Sequence, residues 1–359
     1  MDEAATGGPP DEPERQLSVA VTGPTGEIGR SLLRRLDRAD EVERIVAMAR
    51  RAFDPTQNGL TKTEYRRGDV LDRVAVDELV SGADVVVHLA FLVMGGREET
   101  DRINLDGSRT VFEAAVQSGV SRLVYASSVA AYGFDADNPS LLTEGVPPRG
   151  TQRHYYSAQK AKLEAVLDEV VGGSSTDGYV FRPCIVAGGD ALALVKHIPY
   201  VQLFEFTRRF QNPLVSAVVE AVERFPQVKP VLPDPGTRFQ LVHHDDVADA
   251  FTAAVVGRGQ PGVYNLADPG ELTISDLARE LGWYSFPVPE TALDSAAELV
   301  TRLPLLPAQA QWIESLRQSV LVDTAKARRE LGWAPQHDAR QTLRETVAAA
   351  REQHLLDLG

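Results

Sequence analysis

Short apolar runs alternate with segments of helical spacing from residue 17 to residue 187. Apolar runs of four to eight residues predict buried strands, and apolar side chains recurring every three or four positions predict helices. The predicted strands are residues 17–22, 44–49, 63–69, 84–90, 121–128 and 178–186. The predicted helices are residues 28–36, 72–80, 97–118 and 153–171. This alternation implies right-handed β-α-β crossovers and a parallel sheet with helices on both faces.

The regular alternation ends after residue 188. Residues 190–236 contain several prolines and long apolar and aromatic segments, including HIPYVQLFEFTRRF. The remaining elements predicted are a strand and helix within 239–256, a strand at 262–268, and helices at 273–282, near 323–331 and near 338–354. We therefore predict an α/β fold of the Rossmann type, with a doubly wound parallel sheet. A smaller, mostly helical C-terminal substrate region is expected over the carboxyl edge of the sheet, where such sheets bind ligands.

The same pattern divides the chain into regions. Residues 1–15 are acidic, rich in Gly and Pro and almost without apolar side chains, which predicts a disordered tail. A dinucleotide-binding domain is predicted at 16–187, with 238–268 returning to it, and a substrate-binding region at 188–359.

Composition narrows the possible partners to small molecules. Across 359 residues there are 37 Lys and Arg against 51 Asp and Glu, a formal net charge of −14, so neither nucleic acid nor an anionic membrane is expected to bind. No apolar run reaches the ~18 residues of a membrane span, and no charged-then-apolar leader opens the sequence. The single cysteine, Cys184, excludes an internal disulfide framework and fits a cytoplasmic location.

A glycine-rich loop follows the first predicted strand. Gly23, Gly26 and Gly29 recur at every third residue, and a helix begins within the loop. Glycine allows a tight turn and lets backbone N–H groups approach a pyrophosphate at the helix N-terminus. Glycines at this spacing also occur in ordinary turns. Their place between the first strand and first helix of a β-α-β run favours dinucleotide binding.

A tyrosine and a lysine are paired within the segment HYYSAQK, residues 154–160. Tyr156 and Lys160 are four positions apart and share a helix face, whereas Tyr155 points elsewhere. The pair could be a packed tyrosine beside a solvated lysine. It also suits hydride chemistry, because a carbon bearing oxygen needs a proton donor or acceptor at that oxygen. A free phenol has a pKa near ~10, and a nearby cation favours the phenolate.

Taken together, these segments identify a family resemblance. The spacing of the glycines, the stretch SSVAAYG and the Tyr156–Lys160 pair resemble the extended short-chain dehydrogenase/reductases, often called the NAD-dependent epimerase/dehydratase family. The resemblance covers roughly residues 17–335. The supporting segments are GDVLD (68–72), VVHLA (86–90), INLDGSRTVFEAA (103–115), FRPCIVAGG (181–189), LVHHDDVADA (241–250) and DTAKARRELGWAP (323–335).

The resemblance implies roles for individual residues. Tyr156 would be the acid or base, and Lys160 would lower its pKa and bind the nicotinamide ribose. Counting back from Gly133 assigns Ser128 to the substrate oxygen, although two serines at a strand end can also just turn the chain. Further cofactor contacts are implied at Thr25, Glu27, Ile28, Asp69, Val70, Leu89, Ala90, Ser127, Pro183, Ile185 and Val186. Asp69 would accept from the adenine amino group, or it could simply cap the next turn.

Several polar residues fit simpler roles. His88 is expected to be a packed or hydrogen-bonded core residue rather than a catalyst, and Asn104 to face the site from its helix in a supporting role. The cluster of His243, His244 and the two following aspartates suggests a metal. No metal site is predicted, because a tight cluster at one strand end has no distant ligands to close it.

The end of the second strand should select the cofactor. A carboxylate about 20 residues past the last loop glycine takes the ribose 2′-hydroxyl of NAD and repels the phosphate of NADP. Here Arg50 stands 21 residues after Gly29, and the first acidic residue beyond it is Asp54. Arginine suits a 2′-phosphate. The sequence therefore favours NADP, with NAD as the alternative if Arg50 is only a solvated surface residue.

An NAD(P)-dependent reductase, dehydrogenase or epimerase is the favoured function, and a non-catalytic dinucleotide sensor is the alternative. Dehydratases of this family carry an Asp-Glu pair where Val129 and Ala130 stand. Sugar-nucleotide epimerases often hold the diphosphate with an arginine at the position of Phe239; Arg238 is one residue away. A nucleotide sugar and an apolar carbonyl or alcohol therefore both remain candidate substrates.

The family resemblance also implies a homodimer, in which helices 97–118 and 153–171 would pair with their copies across a two-fold axis.

Overall fold

The computed structural model describes residues 16–198, 201, 229–289 and 318–356. The predicted tail at 1–15 and most of the apolar segment 197–210 lie outside these residues. The bounds of the helices are α1 Glu27–Asp37, α2 Arg73–Val80, α3 Arg97–Asp101, α4 Gly107–Gln117, α5 Tyr155–Val171, α6 Ala193–Lys196, α7 His244–Val255, α8 Ile274–Leu281, α9 Ala325–Leu331 and α10 Ala339–Glu352. No helix in this part of the chain has the length and apolarity needed to cross a bilayer.

A parallel sheet of seven strands forms the centre of the fold. Its order is β11-β6-β5-β4-β1-β2-β3, and every pair in it is parallel. The strands are β1 Leu17–Thr22, β2 Val42–Ala49, β3 Thr63–Arg67, β4 Val85–His88, β5 Arg122–Ala126, β6 Asp177–Pro183 and β11 Gly262–Leu266. The prediction of a Rossmann-type doubly wound sheet is confirmed, and the polar strand β3 lies at its edge.

Two apolar clusters cover the faces of this sheet. On one face α1 and α7 pack on the strands, with Leu32, Leu33 and Phe251 fully buried. On the other face α2, α4 and α5 pack together, with Phe112 and Leu163 fully buried. Both faces exclude water, which explains why the strands read as apolar runs and not as alternating patterns.

Two predicted elements are interrupted. The strand predicted at 178–186 splits at Cys184, because the chain leaves β6 to form β7, Ile185–Ala187, which pairs with β10, Leu241–His243. The helix predicted at 97–118 contains a five-residue π-turn, Arg102–Asp106, between α3 and α4. Such π-turns interrupt helices mostly at functional sites.

A third apolar cluster joins the C-terminal elements. It draws side chains from α6, α8 and α10, among them Val195, Leu277 and Leu343. This region also contains short strands that the sequence pattern did not predict. They are β8 Val231–Asp234 paired with β13 Tyr284–Pro287, and β9 Arg238–Phe239 paired with β12 Leu272–Thr273. The described part is therefore a mixture of helices and two-stranded sheets beside the carboxyl ends of the main strands.

Candidate active site

The glycine loop connects β1 to α1 at the carboxyl edge of the sheet. Gly23 has φ +72°, and a Cβ there would lie 2.7 Å from the backbone nitrogen of Ala90. A Cβ on Gly29 would collide with the carbonyl oxygen of Gly23 and approach Pro24 within 2.8 Å. Gly26 is different, since its Cβ would meet only the Gly23 oxygen, at 3.4 Å. The packing thus requires glycine at positions 23 and 29. The space beside Gly26 is open, as expected for a loop that binds a dinucleotide.

The first turn of α1 offers its backbone rather than its side chains to a ligand. No side chain caps the helix at Gly26, so the first N–H groups remain available. The carboxylate of Glu27 accepts from the Ala193 backbone N–H at 2.9 Å, and burial raises the pKa of Glu27. Ile28 packs against the core, and Thr25 is half-buried in the loop. If Glu27 and Ile28 contact a cofactor, they do so through their amides.

His88 is a hydrogen-bonded core residue, as predicted. Its Nδ1 lies 2.8 Å from the Thr22 hydroxyl and its Nε2 2.9 Å from the Ser108 hydroxyl. Burial, and then the charge of Lys160, lowers the pKa of His88 to about 3, so the ring is neutral. The Thr22 oxygen also accepts from the amides of Leu89 and Ala90 at 3.2 and 3.3 Å. These bonds hold the chain after β4 beside the glycine loop.

The two neighbouring tyrosines point in different directions. Helix α5 begins at Tyr155, with His154 as its N-cap. Tyr155 is 8% exposed and donates its hydroxyl to the Val93 carbonyl at 3.1 Å. Tyr156 instead lies beside Ser128, whose side chain acts to lower the pKa of the phenol. The Lys160 Nζ lies 5.8 Å from the centre of the Tyr156 ring, on the same helix face. The structure therefore places Ser128, Tyr156 and Lys160 together.

Burial dominates the electrostatics of this triad. It raises the pKa of Tyr156 against the opposing influence of Ser128. It lowers the pKa of Lys160 to about 7, against the opposing charge of Glu164. Burial of the phenol therefore outweighs the influence of Ser128, and the lowering of the tyrosine pKa by Lys160 stays a prediction.

Lys160 is held by oxygen atoms and aromatic rings. Its Nζ donates to the Ala126 carbonyl at 2.6 Å and to the Tyr125 hydroxyl at 3.4 Å. It also lies 3.8 Å from the centre of the Phe91 ring, a cation–π geometry. These contacts aim the ammonium at the end of β5, beside Ser128.

A buried ion pair lies behind the triad, and the sequence prediction missed it. Arg182 forks onto the carboxylate of Glu164, with Nε at 2.9 and 3.1 Å from its two oxygens. The Ser127 hydroxyl donates to the same carboxylate. Because the Ser127 backbone N–H also donates to the Phe181 carbonyl at 2.8 Å, only its carbonyl oxygen is left for the predicted cofactor contact. The available signal was that Glu164 lies one helical turn after Lys160.

Ser128 lies two residues past the end of β5 and is the N-cap of a short 3-10 helix, Val129–Tyr132. Its side chain accepts from the Ala130 N–H at 3.2 Å and is 8% exposed. The positions after it carry the apolar side chains of Val129 and Ala130, so no carboxyl group stands there.

Aromatic side chains surround the phenol of Tyr156. The Phe91 ring meets the Tyr156 ring edge-on at 5.5 Å between centres, and His154 lies 6.1 Å from it. Phe134 packs on His154 at 5.0 Å. Burial lowers the pKa of His154 to about 4, so this imidazole is neutral. The rings near the phenol are thus aromatic and neutral, with Lys160 as the neighbouring cation. The sequence prediction did not locate these rings, because Phe91 and Phe134 lie on separate loops.

Asn104 supports one of these loops. Its side chain accepts from the Leu92 N–H at 2.7 Å and donates to the Leu92 carbonyl at 2.9 Å. It also donates to Gln159 on α5 at 2.9 Å. Asn104 lies in the π-turn before α4, fully buried, so its role is to fix the loop carrying Phe91 against the helix carrying Tyr156.

The predicted adenine end lies at the carboxyl ends of β2 and β3. Arg50 is exposed there, and its carbonyl accepts from Arg67 at 3.0 Å. Asp69 accepts from the Leu71 N–H at 3.1 Å, the local turn that was considered as its alternative role, and remains half-buried. Val70 is buried against Gly107, whose Cβ would come 2.6 Å from it.

The predicted nicotinamide end lies where β6 passes into β7. Pro183 is buried at the end of β6, and Ile185 and Val186 are half-buried in β7. The backbone of Cys184 between them donates to the Leu266 carbonyl at 2.9 Å, which fixes the turn.

The two residues considered for holding a diphosphate are both engaged with other parts of the chain. Arg238 is exposed and paired with Glu271 at 3.1 Å, while Phe239 packs into the third apolar cluster. Neither residue presents a free cation at the position predicted for the diphosphate.

The sequence predicted no metal site because the histidine cluster was expected to have no distant ligand. That reason is wrong, because the His243 Nε2 lies 3.2 Å from Glu345 on the C-terminal helix.

Comparison with known proteins identifies related sequences and folds. The family model described as NAD dependent epimerase/dehydratase family matches residues 19–267. Uncharacterized protein y4nG of Sinorhizobium fredii is 29% identical over 341 residues, 92% of this chain and 77% of that protein. 3 beta-hydroxysteroid dehydrogenase type 7 of Homo sapiens is 31% identical over 180 residues, 47% of this chain and 49% of that enzyme, so less than two thirds of it is covered.

Solved structures share the fold at lower identity. MoeE5 in complex with UDP-glucuronic acid and NAD superposes with a TM-score of 0.67 over 94% of this chain and 99% of that one. The two are 21% identical, so the comparison supports the fold alone.

Proposed function

Because the chain belongs to the NAD-dependent epimerase/dehydratase family, we propose that it is an NAD(P)-dependent oxidoreductase that interconverts a ketone and a secondary alcohol on an apolar ring substrate. The observation that carries this proposal is that Ser128, Tyr156 and Lys160 lie close together beside the rings of Phe91 and the neutral His154. A nicotinamide, when bound, supplies or accepts the hydride.

In the proposed reaction the protein handles the proton. Ser128 donates a hydrogen bond to the substrate oxygen, and Tyr156 gives its proton to that oxygen in reduction and takes it back in oxidation. Lys160 stays buried beside the phenol and, with a pKa near 7, exchanges protons readily at neutral pH. Lys160 favours the phenolate through its positive charge, and an oxidised nicotinamide, when bound, would add to this effect.

The apolar substrate is favoured by what surrounds the phenol. Phe91 and Phe134 are available for stacking against a ring system, and Arg238, the nearest candidate for a diphosphate, is engaged with Glu271. The sequence similarity to a human hydroxysteroid dehydrogenase points in the same direction. A nucleotide-sugar epimerase remains the second candidate, because a protein of the same fold is recorded with UDP-glucuronic acid and NAD.

We further propose that NADP is preferred over NAD, that the protein acts as a homodimer, and that it works in the reducing cytoplasm. Arg50, exposed at the end of β2 with no acidic residue from 46 to 53, supports the cofactor preference. The small side chain of Ala165 is exposed on α5 and supports close packing against a second copy, whereas Ala161 and Val166 on the same helix are buried within the chain.

A substrate screen tests the proposal. The purified protein is incubated with NADPH or NADH and either polycyclic ketones or UDP-sugars, and cofactor oxidation and sugar epimerisation are followed. We expect turnover with the ketones and none in a Tyr156→Phe control. Epimerisation of UDP-sugars would establish the second candidate, and tight cofactor binding without turnover on any substrate would favour a non-catalytic sensor.

A further inference from the structure

Two consecutive histidines meet the C-terminal helix α10 beside Ser31 of α1. His243 ends β10, His244 begins α7, and Glu345 comes from α10. The two imidazoles are 2% and 4% exposed, with ring centres 4.1 Å apart. One potential ligand atom from each of the three residues lies within 4.8 Å of the others. Only the tertiary fold brings this set together.

Hydrogen bonds to the Nδ1 atom of each ring fix the direction in which its Nε2 atom points. The His243 Nδ1 accepts from the Asp245 N–H at 3.2 Å, so its Nε2 faces Glu345. The His244 Nδ1 lies 2.8 Å from the Ser31 hydroxyl and 3.0 Å from an Asp245 oxygen, so its Nε2 faces the loop after β7. Metal-binding histidines are oriented by such bonds at the opposite nitrogen.

The two Nε2 edges converge on Gly188. A Cβ at that residue would lie 2.6 Å from the Cδ2 of His244 and 2.7 Å from the Nε2 of His243. Glycine therefore leaves room where the rings come together. The next residue, Gly189, donates its N–H to the Glu345 carboxylate at 2.9 Å and holds the third group in place.

The hydrogen bonds between these groups are long. Nε2 of His243 is 3.2 Å from Glu345, and Nε2 of His244 accepts from the Asp190 N–H at 3.3 Å, at or beyond the usual upper limit of about 3.2 Å. Two ligands of a tetrahedral zinc ion, each bound at ~2.0–2.1 Å, lie roughly 3.3 Å apart. The observed 3.2 Å between His243 and Glu345 matches that separation.

The local charge favours a cation. Asp190, Asp245 and Glu345 border the cluster with side chains 44%, 55% and 42% exposed, and Arg34 is the cation that pairs with the two aspartates.

A second set of residues shares His243 but is less suited to a metal. His337 stacks on His243 at 3.7 Å between ring centres, and its Nδ1 is bonded to Asp246 at 2.7 Å. The other oxygen of Asp246 accepts from the Gln336 N–H at 2.7 Å. These short bonds already occupy the carboxylate, whereas those around Glu345 are longer and closer to solvent.

We propose that His243, His244 and Glu345 bind one divalent ion of the zinc class, which prefers imidazole nitrogen and carboxylate oxygen. The ion displaces the proton between His243 and Glu345. It joins the β10–α7 connection to α10 and leaves a coordination position open toward the exposed side of the cluster. This site is separate from the proposed oxidoreductase chemistry and does not depend on it.

Zinc titration of untagged full-length protein tests the proposal. The protein is dialysed against EDTA, and zinc chloride is added in competition with a chromophoric chelator. We expect one tightly bound zinc per chain and a higher Tm in its presence, since an ion that binds only the folded state stabilises it. His244→Asn and Glu345→Gln should each weaken zinc binding by at least about 100-fold, because loss of even an outer-shell partner costs 10–100-fold.

His337→Asn is the matched control, since it removes an adjacent histidine outside the proposed set. It should bind zinc within a few-fold of the unmodified protein. Far-UV circular dichroism of each zinc-free variant verifies folding, and the partly exposed Glu345 provides a variant that leaves the two buried rings in place. Failure of the unmodified protein to bind stoichiometric zinc would overturn the proposal. So would loss of binding in His337→Asn with retention in Glu345→Gln.

Discussion

Glu164 and Arg182 form an ion pair inside the protein, with side chains 4% and 2% exposed, directly behind the residues proposed for catalysis. Glu164 lies on α5 one turn after Lys160, and Arg182 lies on β6. The carboxylate also receives the hydroxyl of Ser127, next to Ser128. One buried carboxylate thus connects the helix carrying Tyr156 and Lys160 to the strand ends that carry the serine and the predicted nicotinamide contacts.

Glu164→Gln should destabilise the fold strongly. It leaves the Arg182 guanidinium buried without its counter-charge, and breaking a buried pair in this way costs about 3–5 kcal/mol. Urea unfolding measures the loss. Glu169→Gln is the matched control on the same helix, because its pair with Arg109 is exposed and screened by water and therefore contributes little to stability. Equal losses of unfolding free energy in the two variants would show that the buried pair stabilises the fold no more than the exposed pair does.

Tyr156→Phe should retain the fold and cofactor binding and lose at least about 10²-fold in turnover, the scale of general acid–base catalysis. The neighbouring Tyr155→Phe is the control. It removes one hydrogen bond, from the Tyr155 hydroxyl to Val93, and should cost about 1 kcal/mol of stability with little change in turnover. An inactive Tyr155→Phe beside an active Tyr156→Phe would reverse the assignment.

The buried ammonium of Lys160 should make stability depend on pH. Its pKa falls from an ordinary 10.5 to about 7 on folding, mainly through burial, so the folded state binds fewer protons between these values. Stability therefore rises with pH from about 7 to about 10.5, and the contribution is lost as pH falls through the folded pKa.

Lys160→Met isolates this effect, because methionine is of similar length and carries no charge. Between pH 7 and pH 10.5 the unfolding free energy of the unmodified protein should rise relative to that of the variant. The expected rise is roughly 3–5 kcal/mol, at 1.36 kcal/mol per pKa unit. Urea unfolding at several pH values gives the two curves. Parallel curves would mean that the lysine keeps its ordinary pKa in the folded protein.

Arg50→Ala should remove a preference for NADPH over NADH. An exposed arginine at the end of β2 forms charge-assisted hydrogen bonds to a 2′-phosphate, and NADH has no such group. Paired fluorescence titrations with the two cofactors measure the ratio of affinities. Arg38→Ala, an exposed arginine just past α1, serves as the control and should leave the ratio unchanged. Tighter NADH binding by the unmodified protein would refute the preference itself.

Ala165→Glu should convert the proposed homodimer into monomers. Ala165 is the exposed small residue on α5, and a carboxylate placed there would be buried against a second copy without a partner. Light scattering at micromolar concentration reports the mass. Ala325→Glu, at an exposed alanine of α9, should leave the dimer intact. A monomeric unmodified protein would exclude the dimer.

The local pattern of apolar, polar and glycine residues was enough to predict much of the fold. The apolar runs and glycine turns predicted the strands of the main sheet, with β1 found at the predicted residues 17–22. The four-residue spacing of Tyr156 and Lys160 placed both on one helix face, because helix geometry depends only on neighbouring residues. The confinement of His88 to the core followed from its position within a buried apolar strand.

What the sequence did not determine depends on residues that are distant along the chain. The break at Cys184 arises because β7 pairs with β10, and the ion pair of Glu164 joins α5 to β6. Glu345 reaches His243 across 102 positions, a contact that no local spacing indicates. The pKa of Tyr156 is raised because burial is a property of the whole packing around the phenol, so even a correctly predicted pair of side chains did not determine its own electrostatics.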